Sequence, residues 1–197
     1  MDQPVKIGVL AIQGDFAAHA RMLARIGVEA IEVRRAGQLA EVDGLIIPGG
    51  ESSTMLKFLT GEEMLEPIRQ FAEHGKPIFG TCAGAILLAR EVLNPPQPSL
   101  GLLDITVERN AYGRQIDSHI AEAETRLEGG AMEAVFIRAP RIKAVGNMVE
   151  ELAKVGSEPV FVQQGGILAA TFHPELTTDE RAHRYFVDQV RKAKGKG

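Results

Sequence analysis

A glycine-flanked cysteine is the residue of this sequence best placed for nucleophilic chemistry. Cys82 is the centre of Gly80-Thr81-Cys82-Ala83-Gly84, between the apolar pair Ile78-Phe79 and the helix-like stretch Ala85 to Ala89. A Gly-x-nucleophile-x-Gly turn between a strand and a helix is a nucleophile elbow, whose tightness demands small flanking residues. The N–H groups that open the following helix favour a thiolate and stabilise an oxyanion. The pattern indicates acyl transfer, although a lone cysteine is also often a small buried apolar residue.

A histidine and a carboxylate near the C-terminus could serve such a nucleophile. His173-Pro174-Glu175 follows an apolar run that ends at Phe172. We expect this segment to be extended, which would bring the side chains of His173 and Glu175 to the same side. A carboxylate on one ring nitrogen would fix the imidazole tautomer and leave the other nitrogen for a thiol. A hydrogen bond at the surface is the competing interpretation.

The remaining histidines are predicted to be structural, because three fall in helical stretches and one in a polar segment. They are His19, His74, His183 and, in the polar segment, His119. With a single cysteine in the chain, these scattered histidines have no metal-ligand spacing, so no metal site is predicted.

A third strand end carries the sequence Gly49-Gly50-Glu51-Ser52. Paired glycines after a buried strand allow a ligand to approach the backbone closely and supply N–H donors. A phosphate-binding loop is the alternative, but the lysine spacing of such a loop is absent. All three strand ends would meet at one edge of a parallel sheet, where doubly wound folds place their sites.

The elements that must position these residues alternate between strands and helices in the first half. Short apolar runs at Val5 to Ile12, Glu29 to Val33, Gly44 to Ile47 and Ile78-Phe79 are typical of strands buried on both faces of a parallel sheet. Helical spacing follows Phe16 and recurs at Met64 to His74. In the second half we predict strands, several of them antiparallel, at Asp104 to Glu108, Ala134 to Ile137, Ile142 to Val145, Pro159 to Val162 and Ile167 to Phe172, followed by a helix from Asp179. The predicted fold is an α/β doubly wound, mostly parallel sheet flanked by helices.

Length and composition narrow the class of protein. A chain of 197 residues with 45% hydrophobic and 24% charged residues predicts one globular domain over residues 1–197. One cysteine excludes an internal disulfide framework, and we expect a cytoplasmic protein. A net charge of −4 gives no electrostatic reason to bind nucleic acid or an anionic membrane, and no apolar run is long enough to span a bilayer.

The candidate catalytic residues and the motifs around them resemble those of a known family. The elbow at Cys82 together with His173-Pro174-Glu175 resembles the class I, triad-type glutamine amidotransferases, whose fold is flavodoxin-like. Further motifs narrow the resemblance to the glutaminase subunits of pyridoxal 5′-phosphate synthases. They are Ala11-Ile12-Gln13-Gly14-Asp15, Pro48-Gly49-Gly50-Glu51-Ser52-Ser53-Thr54, Val107-Glu108-Arg109-Asn110, Gly113-Arg114-Gln115 and Val135-Phe136-Ile137-Arg138-Ala139-Pro140.

The resemblance implies a reaction and a set of site residues. Cys82 would attack the carboxamide of L-glutamine, with His173 as the base and Glu175 as the group that orients it, and no cofactor is implied. The backbone N–H groups of Gly50 and Ala83 would form the oxyanion hole. The glutamine-binding residues implied by the family are Gly50, Glu51, Ser52, Arg109, Ile137 and Arg138.

The resemblance also implies a partner. In the family, ammonia passes to a separate synthase subunit within a large hetero-oligomer, and glutaminase activity depends on that contact.

Three alternative functions remain open at this point. The chain could be the glutaminase of another pathway, such as histidine biosynthesis, or a γ-glutamyl hydrolase. It could be a catalytically silent glutamine-binding or scaffolding subunit. It could also be a cysteine peptidase or esterase, since elbows serve many acyl transfers.

Overall fold

The computed structural model describes residues 4–110 and 118–195 of the chain. The Gly113-Arg114-Gln115 motif lies outside the described residues. Within the described ranges, no helix combines the length and the apolar character that crossing a bilayer requires.

Parallel strands and helices alternate in the first half, as predicted. The strands are β1 (Lys6–Leu10), β2 (Glu29–Val33), β3 (Gly44–Ile47) and β4 (Ile78–Thr81). The helices are α1 (Phe16–Arg25), α2 (Ser52–Gly61), α3 (Leu65–Glu73) and α4 (Ala83–Leu88). The helix after the elbow begins two residues earlier than expected, at Ala83, and ends one residue earlier, because the chain becomes extended from Ala89 onward.

Strands dominate the second half until the last helix. They are β5 (Ala89–Leu93), β6 (Leu103–Glu108), β7 (Ser118–Thr125), β8 (Met132–Ile137), β9 (Arg141–Val145), β10 (Glu150–Val155), β11 (Glu158–Gln164) and β12 (Ile167–Ala170). The closing helix is α5 (Arg181–Lys194). Strand β6 has the alternating burial expected of a strand with one face in the core.

The described strands form one large sheet and one small sheet. The large sheet has the order β2-β1-β3-β4-β12-β11-β10-β7-β8, and the small one has the order β5-β6-β9. Strands β2, β1, β3, β4 and β12 pair in parallel. Strands β12, β11, β10, β7 and β8 pair antiparallel. This arrangement confirms the predicted α/β class and the predicted antiparallel second half.

Apolar side chains cover both faces of the large sheet. On one face α2, α3, α4 and the small sheet pack against residues such as Leu45 and Ile47. On the other face α1 and α5 pack against Ile46 and Phe79. Because consecutive residues of a strand point to opposite faces, a continuous apolar strand supplies both cores at once. The carboxyl ends of β1, β3, β4 and β12 meet at one edge of the sheet. Cys82 follows β4 and His173 follows β12 at this edge.

Candidate active site

Cys82 occupies a strained turn between β4 and α4. Its backbone has φ 49° and ψ −103°, a region that residues with a side chain rarely adopt. The N–H of Cys82 donates to the carbonyl of Ala170 at 2.8 Å, which ties the turn to β12. The flanks leave no room for a side chain: a Cβ on Gly80 would lie 2.6 Å from the backbone of Gly84. The turn therefore has the tightness that the glycine pattern predicts.

His173 and Glu175 form a buried hydrogen-bonded pair. Nδ1 of His173 lies 2.7 Å from Oε1 of Glu175, and the two residues are only 4% and 7% exposed. The expectation of an extended segment is wrong, because Pro174–Leu176 forms a single 3₁₀ turn. Proline fits the start of such a turn, since its fixed φ suits a helical conformation and it has no N–H to satisfy. The turn, rather than strand alternation, brings the carboxylate back onto the ring. With Nδ1 occupied, Nε2 of His173 is left for Cys82.

The imidazole and the thiol form a coupled acid–base pair. Burial by itself lowers the pKa of His173, but hydrogen bonds with Cys82 and Glu175 outweigh it and raise this pKa to about 10. An imidazole that keeps its proton beside a thiol stabilises the thiolate, which is the nucleophilic form of cysteine. The geometry therefore places a protonated imidazole beside the thiol at neutral pH.

The Gly49-Gly50 loop packs directly on this pair. A Cβ on Gly49 would lie 2.4 Å from Cε1 of His173 and 3.3 Å from Cβ of Cys82. The carbonyl of Gly49 accepts from the N–H of Asp15 at 3.1 Å. Because a trans peptide places its C=O and N–H on opposite sides, the N–H of Gly50 points away from Asp15. The predicted oxyanion-hole residues Gly50 and Ala83 thus lie in the two segments next to Cys82.

An open pocket of about 420 Å³ lies in front of Cys82 and His173. All six residues that the family resemblance implies for glutamine binding line it: Gly50, Glu51, Ser52, Arg109, Ile137 and Arg138. Sequence reasoning assigned no role to four further lining residues, Gln13, Asp15, Ile86 and Asn110. Gln13, Asp15 and Asn110 belong to motifs that the resemblance had already marked, and those motifs were the available signal.

Glu51 also has a structural role, because it caps a helix as well as lining the pocket. It is the N-cap of α2, and its carboxylate accepts from the backbone N–H and the hydroxyl of both Ser53 and Thr54. These hydrogen bonds, the Ser53 hydroxyl first, lower the pKa of Glu51 to about 2. Nη2 of Arg109 lies 3.4 Å from the same carboxylate and donates to the Ser53 hydroxyl at 3.1 Å. The cap therefore holds a guanidinium group at the pocket wall.

Ile137 and Arg138 form the opposite wall. The Ile137 carbonyl lies 4.0 Å from Sγ of Cys82. Arg138 has a positive φ of 43°, which is costly for a residue with a long side chain. Such strain is concentrated at functional sites, where the surrounding structure holds it. Two arginines, Arg109 and Arg138, thus face a small pocket that also contains a nucleophile.

Of the four histidines predicted to be structural, two are fully buried and two are not. His74 is exposed and its Nδ1 lies 2.6 Å from the Gln70 carbonyl, while the ring of His119 stacks on Phe136. His19 and His183 are fully buried behind the active site, and Nε2 of His19 lies 3.4 Å from Oε2 of Glu175. The position of His19 in a helical stretch of the sequence does not predict its contact with Glu175.

One group of possible metal ligands occurs among the described residues. Asp15, His173 and Glu175 place ligand atoms within 4.8 Å of one another. Nδ1 of His173 lies 4.0 Å from Oδ2 of Asp15 and is already hydrogen-bonded to Glu175. The group is better described as a hydrogen-bonded cluster that serves the imidazole.

Replacing Glu51 by alanine should destabilise the protein through the loss of the α2 cap. Since about half of the Glu51 side chain is exposed, solvent screens its charge and we expect a loss near the helix-cap value of about 1 kcal/mol. Urea unfolding at pH 7 measures it. The folded pKa lies below the ordinary value of 4.5, so this contribution is present above pH 4.5 and disappears as the pH falls towards 2. The exposed Glu73→Ala is the control, and an equal loss in that variant would contradict the cap.

The chain matches a family model and several relatives over nearly its whole length. Residues 9–192 match the model of the SNO glutamine amidotransferase family. The chain is 58% identical over 187 residues to the pyridoxal 5′-phosphate synthase subunit PdxT of Koribacter versatilis (strain Ellin345), covering 95% of this chain and 96% of that protein. It is 50% identical over 188 residues to the protein of the same name from Thermosipho africanus (strain TCF52B), covering 95% and 100%.

Solved structures agree with these sequence matches. A structure described as a glutamine amidotransferase shares 48% identity and superposes with a TM-score of 0.89, covering 93% of this chain and 98% of that one. The structure of PurLQS from Thermotoga maritima superposes with a TM-score of 0.75 over 95% of this chain and 99% of that one, at 16% identity. At that identity the second likeness concerns the fold alone.

Proposed function

The chain belongs to the SNO glutamine amidotransferase family, and from this premise we propose that it is the glutaminase subunit of a pyridoxal 5′-phosphate synthase. One observation carries the proposal for the site. The imidazole of His173 contacts the thiol of Cys82 on one side and the carboxylate of Glu175 on the other. Cys82 and His173 line the same pocket as the glutamine-binding residues that the family implies. We assign the catalytic roles to these three residues, and we treat residues 1–197 as one amidotransferase domain.

The reaction starts from the thiolate–imidazolium pair. Sγ of Cys82 attacks the carboxamide carbon of L-glutamine and forms a tetrahedral adduct, whose oxygen takes the negative charge. His173 then gives its proton to the nitrogen, the C–N bond breaks, and ammonia leaves a glutamyl thioester on Cys82. A water molecule loses a proton to the now neutral His173 and attacks the thioester. Release of L-glutamate restores the pair.

The oxyanion needs donors that are fixed before it forms. We assign this role to the backbone N–H groups of Gly50 and Ala83. Ala83 is the first residue of α4, so its N–H has no acceptor one turn earlier in the helix. Removing one such donor costs about 2.7–4 kcal/mol of barrier, so the position of the Gly49-Gly50 loop decides much of the rate.

The substrate's own charges match the pocket walls. The guanidinium groups of Arg109 and Arg138 would pair with the α-carboxylate of glutamine, because planar guanidinium groups bind carboxylates in two-point geometry. Gly50, Glu51, Ser52 and Ile137 complete the proposed binding set. Ser52 is 3% exposed, and its hydroxyl donates to Oε1 of Gln97 at 3.3 Å, so the wall it forms is held from behind.

Ammonia is the product that the partner would use. A synthase subunit in a large hetero-oligomer would take it up to build pyridoxal 5′-phosphate, and a glutaminase that waits for this partner does not waste glutamine. We place the reaction in the cytoplasm, since a nucleophilic thiol works only in its reduced form. No cofactor, nucleic acid or membrane takes part in the proposed reaction.

The test is glutamate release from L-glutamine by the purified chain, with and without a pyridoxal phosphate synthase subunit. We expect strong release only when the synthase subunit is present. Asparagine serves as the matched substrate control, because it carries the same charged groups with a side chain that is one methylene shorter.

The remaining outcomes separate the alternatives. Equal release in both arms would keep the glutaminase and reject the proposed partner. No release in either arm would favour a catalytically silent glutamine-binding subunit. Release from γ-glutamyl peptides in place of glutamine would favour a hydrolase.

A further inference from the structure

We propose that His19 is a positioning residue of the active site, which acts on His173 through Glu175. The catalytic meaning of this role rests on the function proposed above, whereas the contacts themselves are features of the buried side chains. These side chains come from four separate parts of the fold: α1, β4, the 3₁₀ turn at Pro174–Leu176, and α5.

The carboxylate of Glu175 lies between two imidazoles. Its Oε1 atom is 2.7 Å from Nδ1 of His173, and its Oε2 atom is 3.4 Å from Nε2 of His19. Both side chains in the second contact are fully buried. Oε2 has no well-aligned hydrogen bond to any described residue. A buried carboxylate oxygen without a donor is costly, so an N–H group that faces it stabilises the position of this carboxylate.

A second buried histidine decides which nitrogen of His19 carries the proton. Nε2 of His183 lies 2.9 Å from Nδ1 of His19, and Nε2 of His19 lies 3.1 Å from the hydroxyl of Thr81. Burial lowers the pKa of both rings, for His183 to about 3 and for His19 well below its ordinary value. At neutral pH each ring is therefore uncharged and has a single N–H.

Only two arrangements of these two protons are consistent with the contacts. In the first, His183 donates from Nε2 to Nδ1 of His19, and His19 directs its Nε2 proton towards Glu175 and the hydroxyl of Thr81. In the second, His19 donates from Nδ1 to Nε2 of His183, so the Nε2 atom of His19 has no proton and its lone pair faces the carboxylate. The second arrangement also leaves a donor on Nδ1 of His183, which has no hydrogen-bond partner among the described residues. Repulsion and the unpaired donor both favour the first arrangement.

The first arrangement gives His19 a definite task. Its N–H faces Oε2 and holds the carboxylate so that Oε1 accepts from His173. The other titratable groups at this cluster are Cys82, on the far side of His173, and Asp15, whose carboxylate lies 4.0 Å from Nδ1 of His173. Asp15 is half exposed, so its charge is screened more strongly than that of Glu175.

The test compares two variants of His19 by the rate at which iodoacetamide alkylates Cys82 between pH 5 and 9. Cys82 is the sole cysteine of the chain, and the reaction reports its thiolate without glutamine or a partner. His19→Leu removes both ring nitrogens, whereas His19→Gln keeps an amide N–H near the position of Nε2. We expect His19→Leu to raise the pH midpoint by about one unit, so that alkylation below the midpoint slows about tenfold. His19→Gln should recover more than half of that shift.

The control is His74→Gln, a change at an exposed histidine far from the pair, which should leave the profile unchanged. Glutamate release by His19→Leu should show a reduced kcat at nearly constant KM, because the residue does not line the pocket. An unshifted profile in His19→Leu, or equal shifts in both variants, would overturn the role. If glutamate release is absent in the wild-type protein but the alkylation profile shifts as expected, the positioning role stands and the proposed function fails.

Long-range ¹H–¹⁵N spectra of the wild-type protein decide the matter should the variants fail to fold. The chain has five histidines whose ring signals must be assigned. We expect His19 and His183 to be neutral with the proton on Nε2 in both. A proton on Nδ1 of His19 would contradict the proposal directly.

Discussion

Replacing Cys82 by alanine is expected to reduce glutamate release by at least about 10³-fold, because no other group in the pocket can form the thioester. The synthase subunit should not restore the activity. Cys82 is 7% exposed, and alanine keeps its Cβ, so the substitution removes only the sulfur atom and little packing. The measurement is glutamate release at saturating glutamine, together with the thermal unfolding midpoint of the same preparation.

A second substitution separates chemistry from structure. His173→Asn should lose a similar factor, and the double variant should be no worse than either single one, since residues that act as a unit are not additive. Retention of more than a tenth of the wild-type rate in Cys82→Ala would remove the thiol from the mechanism. Unfolding of both single variants would instead assign structural roles to Cys82 and His173.

The strands of the parallel half could be predicted closely because each is a short, continuous apolar run. Strands β2 and β3 have the bounds expected from the sequence, Glu29–Val33 and Gly44–Ile47. Helix α2 was not predicted, since it begins with serines and a threonine, which compete for backbone hydrogen bonds and favour helix ends. Strands β7 and β10 were missed because their partly exposed, charged residues hide the alternation.

The residues of the candidate site could be predicted where neighbours in sequence are also neighbours in space. The elbow around Cys82 and the pair His173 and Glu175 are local patterns of this kind. The contact of His19 with Glu175 depends on how α1 and the 3₁₀ turn pack, and nothing in the spacing of either segment encodes that packing. Likewise, the pairing of Glu51 with Arg109 joins a helix cap to the end of a strand in the other half of the chain.

Replacing Gly84 by alanine is expected to lower the free energy of unfolding by about 3 kcal/mol, the upper end of the range for overpacking a core. A Cβ at this position would lie 2.1 Å from the carbonyl oxygen of Ile47 and 2.9 Å from its carbon. Both atoms belong to the backbone of β3, which is buried between two cores, so no side-chain rotation can relieve the clash. Urea unfolding at pH 7 measures the change.

Relief of this clash requires α4 to move away from β3, and Cys82 and Ala83 would move with it. We therefore expect glutamate release by the folded fraction of Gly84→Ala to fall at least about tenfold, which corresponds to a barrier only about 1.4 kcal/mol higher. Gly37→Ala is the control, because a Cβ there would meet no atom within 4 Å and its φ is not left-handed; it should change stability by less than about 0.5 kcal/mol. If Gly84→Ala were as stable and as active as Gly37→Ala, close contact with β3 would not be what holds the nucleophile in place. The spacing of glycines around Cys82 would then reflect the turn alone.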